Sequence, residues 1–546
     1  MQKISKYMMM AALALVGTIA TGCTSEELAN DAPQAKNDNN TVTLTTTISL
    51  DGSASTRALD AQGKKTFAAG DQVAIYYKNT SGETQYADSK PLTANDITNN
   101  GKTAKITVTL DNPKAGGQLR YVYPAAMANS DIAPNEDIND ENTFSTEGIQ
   151  YSQDGTLEKL AKNFDLAIYD GNLTSDAKLP ASATLKNKLA IAELTIKDYA
   201  GTDITSNITK LVVQQGNGLY GYELTRPDNA VGPIYVALYP TPGSNKENIT
   251  VTATANDDTK YEKDFKFTFA ANNIYPIAVK TFKVVDVSTL TIPDGGTHIE
   301  YTAQNGDMLT GTIANRVLIS IAANANVALK NLTIDYEAPG SNFNFHEPGI
   351  TCIGNATIIL EGTNKVKAFE GDFPGIRAAT NSSNNDYTLT IKGDGSLEAI
   401  GQMGGAGIGG GIGGNCGNIV IESGSITATG GNGAAGIGSG KAGICGNITI
   451  TGGDITATGG AEAAGIGTGY SEDGEYSKCG SITITNGVKE VIAKKGINAD
   501  CSIGKGNGNN SCGKVTILGF EYWNGSGYVN DEGHFYLQAP DLKIIP

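Results

Sequence analysis

The last third of the chain repeats itself at a fixed interval, and few folds tolerate that. Cys416 recurs as Cys445 after 29 residues; Gly407-Ile408 recurs at the same step as Gly436-Ile437 and Gly465-Ile466, and Thr427-Ala428-Thr429 as Thr456-Ala457-Thr458. Cys479 and Cys512 follow after 34 and 33 residues, the surplus lying in YSEDGEYSK and NGVKEVIAKKG. A constant phase broken only by loop-sized insertions predicts a solenoid, whose units cannot bury their apolar faces alone and must stack.

Each unit holds short alternating runs, NITIT and DITAT, separated by glycine pairs. Alternation sends Ile448, Ile450 and Ile455 inward and Thr449, Thr451 and Thr456 outward, while glycine serves corners that need positive φ or have no room for Cβ. Equivalent residues then stack about 4.8 Å apart, and the expected form is a right-handed parallel β-helix. Weaker copies in ANANVALKNLTIDY, PGITCIGNATIILEG and PGIRAA carry it upstream, giving a β-helix over 285–519. Residues 520–546 leave the pattern and are expected to cap the open end. Cys416, Cys445, Cys479 and Cys512 share one rung position. Neighbours there fall within disulfide range, but parallel, inward side chains favour a buried thiol stack, each Cys acting as a small apolar residue.

At 546 residues the chain has room for about three domains. From Thr41 the alternation is strict: Val42, Leu44, Thr46, Ile48 and Leu50 against Thr43, Thr45, Thr47 and Ser49, a strand with one buried face. Further strand-like runs, DQVAIYY, AKITVTL, QLRYVYP, PIYVALYP and NITVTATA among them, are short and divided by Gly, Asn, Asp and Pro. The expectation is all-β: two antiparallel β-sandwiches, 41–165 and 166–284, before the β-helix.

The first 22 residues carry Lys3 and Lys6, an apolar run from Tyr7 to Ile19, and small residues up to Cys23. That run is shorter than the ~20 residues of a membrane span and reads as a cleaved signal peptide. Ala20-Thr21-Gly22-Cys23 resembles a bacterial lipobox, which implies a lipid on Cys23; Thr24-Ser25-Glu26-Glu27 resembles the acidic tag that sends lipoproteins to the outer face of the outer membrane. Residues 23–40 are polar, as a tether requires.

Phe67-Ala68-Ala69-Gly70-Asp71-Gln72-Val73-Ala74-Ile75-Tyr76, Tyr121-Val122-Tyr123-Pro124 and Phe269-Ala270-Ala271-Asn272-Asn273-Ile274-Tyr275-Pro276-Ile277 resemble the fimbrillin family over roughly residues 41 to 284. That resemblance implies two transthyretin-like sandwiches, a lipid-anchored precursor cut after an arginine, and pilus subunits joined by strand exchange. Arg57-Ala58, in SASTRALD after the first strand, matches the cleavage site; Arg57 reads equally well as a solvated loop charge.

The net charge of -17 argues against a nucleic-acid partner, because phosphate binding needs a basic face. GGGIGG satisfies G-x-G-x-x-G at Gly409, Gly411 and Gly414 without a strand-then-helix context, and AGIGSGKAG fails the P-loop at Ala435 and Ala442. The three histidines, His298, His346 and His534, are scattered, so no metal, cofactor or catalytic residue is expected. Glu347, Glu370 and Asp372 precede equivalent corners on adjacent rungs, yet surface acids on loops are ordinarily only solvated. Phe343, Phe345, Phe369 and Phe373 with His346, Glu347 and Asp372 suggest a glycan- or protein-binding patch; the plainer alternative has the rings tucking loops onto the coil. Together these readings describe a surface-exposed outer-membrane lipoprotein with no enzyme activity. It would be a fimbrial tip or accessory adhesin that displays its β-helix for binding a glycan or protein ligand, the alternative being a surface polysaccharide-binding or polysaccharide-degrading β-helix lipoprotein.

Overall fold

The computed structural model describes residues 41–50, 66–128, 153–163, 166–241, 243, 245–271, 273–292, 298–313, 316–335, 347–380, 387–472, 474–529 and 536–546. Among them the architecture is nearly all strand: antiparallel sandwich layers followed by a parallel β-helix.

The first sheet orders its eight strands Thr84–Asp88, Ala74–Lys78, Gln118–Tyr123, Ala167–Asn172, Ser182–Asn187, Thr41–Leu50, Thr103–Asp111 and Ile97–Thr98. Two of these lie beyond residue 165, where the sequence suggested a division, and they belong to this sheet because Ala167–Asn172 pairs along Gln118–Tyr123. Its central strands are buried on both faces. Ile75, Tyr77, Leu119 and Tyr121 point into the first core, while the alternate residues Ala74, Tyr76, Val122 and Ile168 enter a second core. That double burial explains why this stretch reads as a continuous apolar run.

The second core lies between the three-stranded sheet Ile234–Leu238, Ala190–Lys197, Ile274–Lys280 and the antiparallel strands Ile208–Gln215, Tyr220–Thr225, Glu247–Ala255 and Lys260–Phe267. Leu211, Val213, Tyr222 and Val251 meet Ile191, Leu194, Val236 and Val279 there. Ile274–Lys280 runs parallel to Ala190–Lys197 at the sheet's edge, where Pro276 costs no ladder bond.

Hydrogen bonding passes from sandwich to β-helix without a break. Lys260–Phe267 pairs antiparallel with Phe282–Asp286, which pairs parallel with Asp307–Thr312 in the first rung. Lys330 Nζ bridges Glu262 Oε1 at 2.6 Å and Asp264 Oδ2 at 2.5 Å, and Lys263 Nζ lies 3.2 Å from Glu361 Oε1. The rod is therefore tied to its base by ladder bonds and ion pairs.

In the β-helix every 29-residue offset of the sequence becomes a stacked register pair. Ile408, Ile437, Ile466 and Ile503 form one column; Ile419, Ile448, Ile482 and Val515 form another. Both are buried in a single core running from Val287 to Ile544. Gly438 shows why the corner excludes side chains: its φ is +138° and an added Cβ would lie 2.0 Å from the Gly467 carbonyl oxygen. Asp541–Ile544 pairs antiparallel with Val488–Lys494 and Phe520–Trp523 with Val515–Ile517, so the parallel stacking stops at the last rung and Leu537, Leu542 and Ile544 close its core.

The four cysteines stack in register as the repeat requires. The expected all-thiol stack is corrected at its first step: Cys416 and Cys445 form a disulfide with Cα atoms 4.5 Å apart. Rung spacing alone places neighbouring Cα atoms inside the disulfide window. Cys479 and Cys512 are buried thiols.

Candidate functional site: an inner strand and the rod that follows it

The first strand, Thr41–Leu50, is not an edge strand. It pairs antiparallel with Thr103–Asp111 from Thr41↔Asp111 to Ser49↔Thr103, and its last four residues pair parallel with Ser182–Leu185. Leu44, Thr46 and Ile48 face the core, with Ile48 wholly buried. Ile48 stands opposite Ala104 on one side and Ala183 on the other, so its side chain fills space that two small neighbours leave. The buried Thr46 hydroxyl donates to the Pro180 carbonyl at 2.5 Å. Outside, hydroxyl pairs Thr43–Thr109 at 3.0 Å, Thr45–Thr107 at 3.2 Å and Ser49–Thr184 at 3.0 Å line the strand. This peptide thus fills a slot between two strands and supplies part of the first core.

Cys23, Arg57 and Ala58 lie outside the described residues. The ends of the segment holding Arg57 are placed: the Leu50 amide donates to the Lys102 carbonyl at 3.2 Å and the Phe67 amide to the Gly101 carbonyl at 2.7 Å. The chain leaves and returns at consecutive carbonyls of one turn. A break between them would leave the N-terminal flank held by its ladders and the C-terminal flank by the amide bonds of Phe67 and Gly70, the latter to the Leu92 carbonyl at 2.8 Å.

Of the proposed ligand patch, Phe343, Phe345 and His346 also lie outside the described residues. Phe369 is buried in the β-helix core, where an apolar side chain at the corner is drawn by burial. Glu347 stands beside it, its carbonyl accepting the Phe369 amide at 3.0 Å. Asp372 and Phe373 sit half-buried at a corner and hold the next rung. Asp372 accepts the Gly404 amide on Oδ1 at 3.1 Å and the Ile412 amide on its carbonyl at 3.1 Å, and the Phe373 carbonyl accepts the Gln402 amide at 3.0 Å. The four described residues of the seven thus fall into two pairs, Glu347 with Phe369 and Asp372 with Phe373, each bonded into the coil.

A cleft that sequence reasoning missed lies at the junction. It has a volume of ≈ 620 Å³ and is lined from the sandwich by Gln214, Asn217, Asn248, Asp264 and Phe265 and from the rungs by Gly362, Gly393 and Asp394. Its walls come from segments more than ninety residues apart, so no local motif marks it. Among the described residues no group of three or more His, Cys, Asp or Glu side chains could hold a metal ion, and no helix is long and apolar enough to cross a membrane.

No family model matches the chain, and no curated protein matches it. Among solved structures it is similar to a fimbrial assembly protein from Parabacteroides distasonis, at 12% identity and a TM-score of 0.24, covering 43% of this chain and 91% of that one. It is also similar to a fimbrial protein from Bacteroides ovatus, at 13% identity and a TM-score of 0.23, covering 44% of this chain and 49% of that one. At such scores the likeness decides neither fold nor function, and the functional argument rests on the chain's own strands.

Proposed function

We propose that the chain is a cell-surface lipoprotein of the fimbrial tip or accessory adhesin type. Cleavage at Arg57 frees the first strand, a neighbouring subunit's strand refills its slot, and the β-helix is displayed outward for a glycan or protein ligand. The observation that supports this reading is the first strand itself: an inner strand with two ladders and an apolar anchor, followed by a segment whose two ends rest on one turn. Removing such a strand leaves unpaired backbone groups along both neighbours and an apolar slot, which is the condition for refilling by strand addition. Lys260–Phe267 pairs directly with the strand that leads into the rod, and this continuity supports the reading of a subunit that accepts a strand without donating one and sits at the end of a fibre. Treatment with an arginine-specific protease, N-terminal sequencing and native mass spectrometry test this. The expected product begins at Ala58 and binds an added peptide TVTLTTTISL; a product that forms long homopolymers would contradict the tip role, and an uncut Arg57 would contradict the maturation.

The alternative, a polysaccharide-binding or polysaccharide-degrading lipoprotein, is favoured by the junction cleft. Amides and carboxylates around the single ring of Phe265 suit sugar hydroxyls and a C–H face. A glycan array with product analysis separates the readings. Turnover supports the enzyme. Binding lost in Phe265→Ala locates the cleft as the site, and binding kept in that variant places the ligand elsewhere on the rod.

A further inference from the structure

We infer that Cys479 and Cys512 are a second oxidation site, closing to a disulfide so that the ladder carries two staples, 416–445 and 479–512. Four cysteines stacked one per rung allow three nearest-neighbour bridges, 416–445, 445–479 and 479–512. With the first formed, only the third leaves no sulfur unpaired. The geometry is already in place: the Cys479 thiol points at the Cys512 sulfur 2.8 Å away. The two residues are register partners in the same parallel ladder that carries the first bridge, which sets the Cα spacing at the rung repeat and within disulfide range. Both side chains are buried, so no competing thiol or solvent-borne ligand reaches either without opening the rung. Cys352 and Cys501, the remaining described cysteines, occupy neither ladder position.

The oxidant is a disulfide-carrying donor, either a small-molecule disulfide or an exchange protein. One sulfur, as thiolate, attacks the donor disulfide and expels one thiolate; the other protein sulfur then displaces the second. One S–S bond forms in the chain and one breaks in the donor, and the two thiol protons end on the two donor thiols. The hydrogen bond with Cys479 first, and burial second, push the Cys512 thiol well above its ordinary pKa, so the exchange belongs to folding, before the rungs close and while the thiolate is still solvated. The two staples tie rungs in pairs and leave only the step between Cys445 and Cys479 unlinked, stiffening the part of the rod farthest from its base.

Trypsin separates the five cysteines of the rod's second half, because Lys441, Lys478, Lys489, Lys505 and Lys514 fall between or beside them. The full chain, refolded with oxidised glutathione and alkylated under denaturing, non-reducing conditions, should yield Cys479–Lys489 cross-linked to Gly506–Lys514, alongside the 416–445 pair. Alkylated Cys479 and Cys512 peptides, or a 445–479 cross-link, would overturn the inference. A thermal melt gives a second readout: adding reductant should lower the midpoint of the native chain by more than that of Cys512→Ser, and an equal drop in both would count against the second bridge.

Discussion

Ile48→Ala asks most directly whether the first strand is a removable filler. Ile48 is fully buried, and its cross-strand partners on both sides are alanines, so no larger neighbour in the sheet can collapse into the space left behind. Three carbons are lost, about 2.4 kcal/mol at roughly 0.8 kcal/mol per methylene, and an unfilled cavity carries the cost to about 3 kcal/mol, within the range for large-to-small core changes. In the intact chain that loss is spread over a multi-layer fold that does not unfold in one step. After a cut at Arg57 it should appear in one equilibrium, retention of the N-terminal peptide. About 3 kcal/mol is roughly a hundredfold in that equilibrium, expressed mainly as faster release. Native mass spectrometry of the cut protein over time, with Thr45→Ala on the exposed face as control, reads it. Release of Ile48→Ala within twofold of the native peptide would refute the idea that apolar anchoring holds the strand in its slot.

Other outcomes follow from the rod and its base. Gly438→Ala should cost more than about 3 kcal/mol, because its Cβ would meet backbone in the next rung at positive φ, and circular dichroism with limited proteolysis should show a shortened or unfolded β-helix; Gly413→Ala, with nothing within 4 Å, should cost only about 1 kcal/mol for its left-handed backbone. At the junction, burial opposes the Lys330 ammonium, but its hydrogen bonds to Asp264 and Glu262 outweigh that and raise its pKa. The clamp is therefore fully present below the unfolded lysine value of about 10.4 and lost as pH rises through the higher folded value, so hydrogen exchange at Lys260–Phe267 should accelerate only in strong alkali, and a Lys330→Gln chain should lack that alkaline step. Asp335 has the opposite sign: burial works against its carboxylate, yet hydrogen bonds from Lys365 and Lys367 hold its pKa below 3.8. Its contribution is present above that value and disappears as pH falls through the lowered one, so the stability gap between the native chain and Asp335→Asn should close in acid.

The legible parts of the sequence were those in which neighbours in space are also neighbours in phase. Gly407-Ile408, Gly436-Ile437 and Gly465-Ile466 announce their own stacking, since a solenoid contacts only the adjacent rung and the repeat fixes which residue meets which. The strict alternation of Val42 to Leu50 announces a half-buried strand but not its partners: Thr47–Leu50 lies beside Ser182–Leu185, some 135 residues on, and no period of two encodes that distance. The candidate patch shows the same limit. Phe369 and Phe373 look alike as aromatics near a corner, but one side chain enters the core and the other stays at the rim, a difference set by the direction of one turn.

By itself, then, the sequence determined the β class, the coiled rod with its cysteine column and the early strand preceding Arg57, because alternation and repetition are local consequences of pleat and pitch. Only the tertiary structure decided that this early strand is interior, that the central sheet serves two cores at once, that the rod grows from the sandwich by unbroken hydrogen bonding, and that a cleft forms where they meet. Those outcomes depend on pairings between distant segments, where the gain from burying apolar surface and satisfying backbone groups is settled by the whole chain and not by any stretch of it.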